Sequence, residues 1–411
     1  MRGKGQAPVR DGKLGSVFIC ICRAAELRLD PRQPPKGLAR AFLSAGAPRC
    51  RNCRCVRLAR RFAAFRFIFR PSPLRRFLHM AVPPVLQNLR IPVIASPLFI
   101  ISNPELVIAQ CKAGVVGSFP SLNARPGPLL HEWLDKITNE LGEYNVKNPD
   151  RPAAPFAVNQ IVHKTNNRLD HDIEACVKFK VPVIITSLGA RTDVNDAIHS
   201  YGGVVMHDVI DTWFAKKALE KGADGLIAVA AGAGGHAGKL SPFALIQEIR
   251  EFFDGPLALS GSIATGGAVA ASLAMGADFG YIGSAFIACD EANAMEGYKD
   301  AIVNYGAEDI VYSNLFTGVH GNYLKPSIIA AGLDPDNLPE SDPSKMNFGS
   351  GGNTDAKAWK DIWGCGQGIG AVKKRGPVKD FVDQLAREYE DARAALAKGQ
   401  AFSRPVTVPA E

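Results

Sequence analysis

The chain contains no run of about 18 consecutive apolar residues, so no transmembrane helix is expected. Its histidines and carboxylates do not gather at ligand spacing, which argues against a metal centre. The nearest approach, Cys50-x-x-Cys53-x-Cys55, lacks the second close Cys/His pair of a closed zinc site. Of nine cysteines, five lie in residues 1–79, and Cys111, Cys176, Cys289 and Cys365 are scattered singly, which argues for a reducing, cytoplasmic setting. Acidic residues are missing from one region: residues 1–79 carry only Asp11, Glu26 and Asp30 against 19 Lys or Arg. The remainder has 29 basic and 37 acidic residues, so the net charge of +8 belongs to the N-terminal segment alone. No nucleic-acid partner is therefore inferred for the main body.

That basic segment has three readings. Arginine without acids suits an organelle transit peptide. The cationic, aromatic stretch Arg57 to Phe67 suits an arm for a membrane surface or nucleic acid. The favoured reading is an over-extended frame with the native start at Met80, which makes residues 1–79 a low-order, dispensable extension.

From Val85 onward, short apolar runs alternate with amphipathic stretches. Strands are predicted at Ile91–Ala95, Gly114–Gly117, Phe156–Asn159, Val181–Thr186, Gly203–His207, Gly225–Ala230, Pro256–Ser260 and Phe279–Gly283. Helices are predicted between them at Pro104–Lys112, Pro128–Leu141, Asp170–Phe179, Val194–Ser200, Thr212–Lys221, Pro242–Phe253 and Gly266–Met275, followed by Glu291–Asn304. This is the rhythm of an α/β protein of the (β/α)8 TIM barrel class, assigned to residues 85–330; a doubly wound open sheet is the alternative. Residues 331–411 form a C-terminal extension, with a turn-rich excursion at Gly332–Gly352 and an amphipathic helix at Val378–Lys398. Helix-to-strand junctions at Lys112-Ala-Gly114, Lys221-Gly-Ala-Asp224 and Met275-Gly-Ala-Asp278 each end a helix at glycine.

The stretch Asp224 to Gly238 runs from an apolar strand into a glycine-rich loop that ends at His236, with Ser241-Pro242 opening the next helix. Gly232, Gly234 and Gly235 allow a backbone shaped around a ligand; they equally make a tight turn that the histidine caps. In a barrel the site lies at the C-terminal strand ends. After the seventh strand comes Ser260-Gly-Ser-Ile-Ala-Thr-Gly266, and after the eighth Gly283-Ser-Ala-Phe286. Such loops supply N–H groups and hydroxyls, with a helix N-terminus behind them, for a dianionic phosphate; ordinary barrel closure would look the same. The other strand ends are polar and uncharged at Ser96, Ser118, Asn159 and Ser187, with His207-Asp208 the exception. Hydroxyls and amides suit the edge of a flat heterocycle better than a metal. Asn159 as a loop cap and His207 as a core histidine are the plain structural alternatives.

Ile91-Pro-Val-Ile-Ala-Ser-Pro97, Pro155-Phe-Ala-Val-Asn159, Gly234-Gly-His-Ala-Gly238, Ser260 to Gly266 and Ile282-Gly-Ser-Ala-Phe286 together resemble the nitronate monooxygenase family. The late segment Asp361-Ile-Trp-Gly-Cys-Gly-Gln-Gly368 is similar too, so the resemblance spans Val85 to Leu396. It implies a TIM barrel that binds FMN non-covalently. Its phosphate would lie at Gly261, Ser262, Gly283 and Ser284, its ring near Asn159 and the Gly234-Gly235 backbone, with Ser96 and His207 also at the cofactor. His236 matches the family's catalytic base. The chain departs from the family pattern at Ala95-Ser96-Pro97-Leu98 (commonly Gln-Ala-Pro-Met), at Gly232 (commonly acidic) and at Asp208 (often basic).

The implied reaction is oxidation of nitroalkanes or their nitronates by O2 to a carbonyl compound and nitrite. A neutral imidazole is a competent base for the acidic C–H of a nitroalkane. The alternatives are an NAD(P)H-dependent flavin reductase of quinones or enoyl thioesters, and a non-redox phosphate-ester isomerase or lyase. The expected partners are a small-molecule substrate and O2, with NAD(P)H in the reductase reading; a homodimer is compatible with the sequence.

Overall fold

A computed structural model describes residues 82–341 and 361–398. The readings made for residues 1–79, including the Cys50–Cys55 cluster, and for most of the Gly332–Gly352 excursion lie outside the described residues.

Eight parallel strands form the barrel: β1 (Val93–Ala95), β2 (Gly117–Pro120), β3 (Phe156–Ile161), β4 (Val183–Ser187), β5 (Val204–Val209), β6 (Gly225–Val229), β8 (Leu257–Ser260) and β9 (Phe279–Ile282). They follow one another round the sheet in the order β1-β9-β8-β6-β5-β4-β3-β2. A parallel bridge between Ile94 and Val116 joins the two ends. The expected barrel is therefore the observed one, and the open sheet is excluded.

Around it lie α1 (Pro104–Ala113), α2 (Leu129–Lys147), α3 (Leu169–Lys178), α4 (Thr192–His199), α5 (Thr212–Glu220), α6 (Pro242–Arg250) and α7 (Gly266–Ala274). After β9 the chain forms the short α8 (Ser284–Ile287) and then α9 (Glu296–Asn304), so the helix predicted from Glu291 begins five residues later. The second strand is likewise displaced from its predicted Gly114–Gly117. Gly114 is taken by the left-handed cap of α1 at φ 96°, and regular pairing begins only at Gly117.

A repeated junction fixes strand starts. After α5 and after α7 the chain reads Gly-Ala-Asp, with Gly222 and Gly276 left-handed at φ 93° and 110°. Asp224 Oδ2 accepts the Val205 N–H at 2.8 Å, and Asp278 Oδ2 accepts the Leu257 N–H at 2.9 Å. Each aspartate thus satisfies the neighbouring strand's first exposed donor. Asp278 also pairs with Arg250 at 2.8 Å.

The barrel interior is packed by alternate strand residues, among them Ile94, Val116, Ala157, Ile185, Met206, Ile227, Ala258 and Phe279, and Leu86 joins this cluster from the turn before β1. The intervening residues face the helices. Beyond α9 the sequence pattern loosens, yet the chain builds a second sheet that the sequence reading did not foresee. The strands β10 (Ile310–Ser313) and β11 (Gly321–Leu324) pair antiparallel, and β11 pairs in turn with β7 (Gly235–His236). After the short α10 (Lys325–Ala330), the last helix, α11 (Val378–Ala397), buries Val382 and Leu385 in the cluster that also holds Leu106 of α1 and Val269 of α7. No helix among the described residues is long and apolar enough to cross a membrane.

Candidate active site

A cavity of about 1670 Å³ opens at the C-terminal ends of the strands. Its floor follows from the period of two: residues two beyond the interior-facing ones are Ser96, Asn159, Ser187, Asp208, Val229, Ser260 and Tyr281, and all line the cavity. Ser118 is in phase with them but lies fully buried, donating its hydroxyl to the Ala95 carbonyl at 2.5 Å.

The floor is cross-linked. Asn159 donates its amide N–H groups to the Ile185 carbonyl at 3.1 Å and to Ser187 Oγ at 2.7 Å. Ser187 donates in turn to Asp208 Oδ2 at 2.5 Å. Asp208 is half-buried and lines the cavity, and burial pushes its carboxyl up to about 6 despite the Ser187 hydrogen bond. Tyr281 stands beside it; burial first, then the nearby Asp208 charge, raises its phenol far above the usual range.

His207 borders the cavity but falls one residue out of phase. Its ring packs on the helix-facing side of β5, where Nδ1 lies 2.6 Å from Thr186 Oγ1. Burial lowers its pKa to about 4, so the ring is neutral at physiological pH.

The expected glycine-rich loop ends in a short paired strand at Gly235–His236. His236 sits opposite Gly321, and Gly235 opposite Asn322. Asn322 Nδ2 donates to the Ala233 carbonyl at 2.6 Å. His236 Nε2 lies 3.1 Å from Thr317 Oγ1, whose own hydrogen is directed to the Val319 carbonyl at 2.9 Å. With the hydroxyl hydrogen on that carbonyl, the threonine oxygen accepts from the ring, which places the ring hydrogen on Nε2 and leaves Nδ1 as the basic nitrogen. Burial lowers the His236 pKa to about 4.

A strap from the C-terminal part of the chain closes the site. Gly366 N–H donates to Ser284 Oγ at 2.8 Å, and Gln367 N–H to the Gly232 carbonyl at 2.9 Å. Backbones meet directly here: a Cβ on Gly234 would lie 2.6 Å from the Gly366 nitrogen, and one on Gly366 would lie 2.5 Å from the Gly232 oxygen. Tyr298 holds the strap from below, donating to the Gly364 carbonyl at 2.6 Å and stacking on Trp363. The sequence reading gave the site neither this strap nor Thr317. The Gly-Cys-Gly-Gln-Gly run from 364 to 368 is the signal that could have placed it.

The predicted phosphate residues Gly261, Ser262, Gly283 and Ser284 lie at one end of the same cavity. Ser262 adopts φ 56°, a left-handed conformation costly for a residue with a side chain and common where successive N–H groups converge on an anion. The helix N-terminus expected behind the first of these loops is already engaged. Glu388 of α11 accepts the Gly266 N–H at 2.8 Å, and Thr265 accepts that of Ala268 at 3.1 Å. The first turn of α8, with Gly283 and Ser284, borders the cavity instead. Backbone N–H groups and hydroxyls of Gly261, Ser262, Gly283 and Ser284 thus lie together at the cavity, the kind of donor set a phosphate takes.

Residues 85–388 match the family model described as nitronate monooxygenase. A nitronate monooxygenase of Paraburkholderia phytofirmans is 25% identical over 348 residues, covering 73% of this chain and 93% of that protein. Among solved structures, nitroalkane oxidase from Streptomyces ansochromogenes aligns with TM-score 0.63 at 22% identity, covering 74% of this chain and 97% of the other. FabK from Thermotoga maritima aligns with TM-score 0.62 at 21% identity, covering 77% and 97%. At these identities the two structures speak for the barrel fold.

Proposed function

Since the chain belongs to the nitronate monooxygenase family, whose members are flavin-dependent oxidoreductases, we propose that it uses FMN to oxidise nitroalkanes or their nitronates with O2. The observation that carries this reading is His236, neutral, hydrogen-bonded with Thr317, and placed on the wall of a cavity with a polar floor and an end lined by glycine and serine.

In this reading a nitroalkane lies between His236 and the floor. Its Cα–H bond breaks, the proton passes to His236 Nδ1, and the electron pair forms the C=N bond of the nitronate, whose charge rests on the two oxygens. Thr317 keeps the ring aligned by accepting from Nε2. Asn159 and Ser187 supply a fixed polar bed, and the strap from Gly364 to Gly368 excludes water from the site. FMN, when bound, supplies the electron acceptance that couples the nitronate to O2, with carbonyl compound and nitrite as products. Gly261, Ser262, Gly283 and Ser284 would hold its phosphate, and Asn159, Ser96, His207 and the Gly234-Gly235 backbone would bound its ring.

The test is the visible spectrum of the purified protein, followed by anaerobic addition of NADH and then of an alkyl nitronate. A yellow protein indifferent to NADH and reduced by nitronate supports the reading. Bleaching by NADH alone replaces it with the reductase, and a colourless protein that takes up no FMN overturns both.

A further inference from the structure

The cavity floor carries one ionisable group that the scheme above leaves idle. Asp208 is the only carboxylate among the in-phase floor residues. Its Oδ2 is satisfied by Ser187, leaving Oδ1 as the oxygen a ligand would meet. No described lysine or arginine pairs with it, and no cationic side chain offsets its burial. Ser187, Val229 and Tyr281 face it from β4, β6 and β9, and of these only Tyr281 can titrate, far above neutrality. His207 lies on the opposite side of its own strand, and His236 stands on the cavity wall. His163, Asp211 and Lys239 line the cavity from the loops after β3, β5 and β7, Lys217 and Lys221 from α5 and its end, and Tyr298, Tyr312 and His320 from the later part of the chain.

A bare carboxylate at this place repels any anion in a water-poor site, whereas a protonated one can donate its O–H to it. We propose that Asp208 makes the cavity take up an anionic ligand together with one proton, the protonated carboxyl donating to the anion through Oδ1. The assignment rests on the function proposed above only for the identity of that anion, the nitronate. A carboxyl kept neutral so that it can donate is a known catalytic device. In this chain it would hold the nitronate oxygens while His236 takes the Cα proton. Neutral nitro compounds would then bind across the pH range. Preformed nitronates would compete only while Asp208 can acquire a proton.

Nitrate serves as the probe, being planar, unreactive and fully ionised at every pH used. The purified flavin-loaded protein is titrated calorimetrically with sodium nitrate between pH 5 and 8, in buffers of different ionisation heat. The expected result is an affinity that falls about tenfold per pH unit above pH 6, with close to one proton taken up per nitrate at pH 7 to 8. Asp208→Asn keeps an acceptor for Ser187 and should give a flat profile without proton uptake. Ser187→Ala removes the hydrogen bond that lowers the carboxyl's pKa and should move the inflection to higher pH. No nitrate binding at pH 5, no proton uptake by the wild type, or an unchanged profile in Asp208→Asn overturns the proposal. Expected nitrate behaviour in a protein that does not oxidise nitronates would remove the functional reading and leave this one standing. Nitronate oxidation with a flat nitrate profile would do the reverse.

Discussion

The floor and the roof of the cavity are built on different principles. The floor is made of residues two beyond a packed interior layer, so the strand period alone puts Ser96, Asn159, Ser187 and Asp208 on one surface. The roof brings together residues 232–236, 317–323 and 364–368, far apart in the chain, through backbone contacts so close that glycine is required at Gly234 and Gly366. A rigid, locally encoded bed is thus covered by a lid whose geometry depends on every long-range contact being made.

The sharpest way to break this contrast is at the roof's reactive group. His236→Ala should lower kcat/KM for a neutral nitroalkane by ~10²–10⁴-fold, the usual worth of a positioned base, while preformed nitronate is turned over at a much smaller loss. Steady-state oxygen consumption with the two substrate forms decides it, and equal losses would deny His236 the role of base.

The strap comes next. Gly366→Ala puts a methyl group 2.5 Å from the Gly232 carbonyl and 2.9 Å from the Gly234 nitrogen. Overpacking of this kind costs about 1–3 kcal/mol and should appear as lowered thermal stability with loss of bound flavin, whereas Gly267→Ala, whose methyl would meet only Thr265 Oγ1 at 3.9 Å, should not. Flavin retention after gel filtration distinguishes the two variants.

Thr317→Val removes the acceptor that fixes the His236 tautomer. A hydrogen bond worth about 0.5–1.5 kcal/mol predicts up to a tenfold fall in kcat with little change in KM.

A further effect belongs to the floor. Asp208 titrates near 6 in the folded chain and near 3.8 when unfolded. Between those values the native state holds a proton that the unfolded state has lost, so this group's contribution falls as pH rises through 6. Asp208→Asn should therefore be more stable than wild type at pH 8 and lose that advantage on acidification toward pH 4. His207 and His236 act with the opposite sign, since their depressed pKa values make stability fall as pH drops from 6.5 toward 4. Thermal melts of wild type and Asp208→Asn across this range separate the two contributions.

Much of this was legible beforehand. The barrel, its helices and the polar strand ends follow from apolar runs, caps and Gly-Ala-Asp junctions, each local in the chain. His207 was visible as a residue, but its side of the strand was not; a register of one residue turned it away from the floor. The paired strand at Gly235–His236 escaped notice because two residues carry no periodicity. Its partner lies some 85 positions later, with its register at Gly321.

What the sequence determined by itself is the architecture of eight strand–helix units, with strand ends rich in hydroxyls and amides, two loops of glycine and serine, and the histidines His207 and His236. Only the tertiary structure decided which nitrogen of His236 is basic, that Glu388 rather than a ligand occupies the start of α7, and that no described cation pairs with Asp208. Strand period and capping are fixed within a few neighbouring residues. Tautomer, desolvation and backbone contact are set by whichever distant groups the fold brings within about 3 Å.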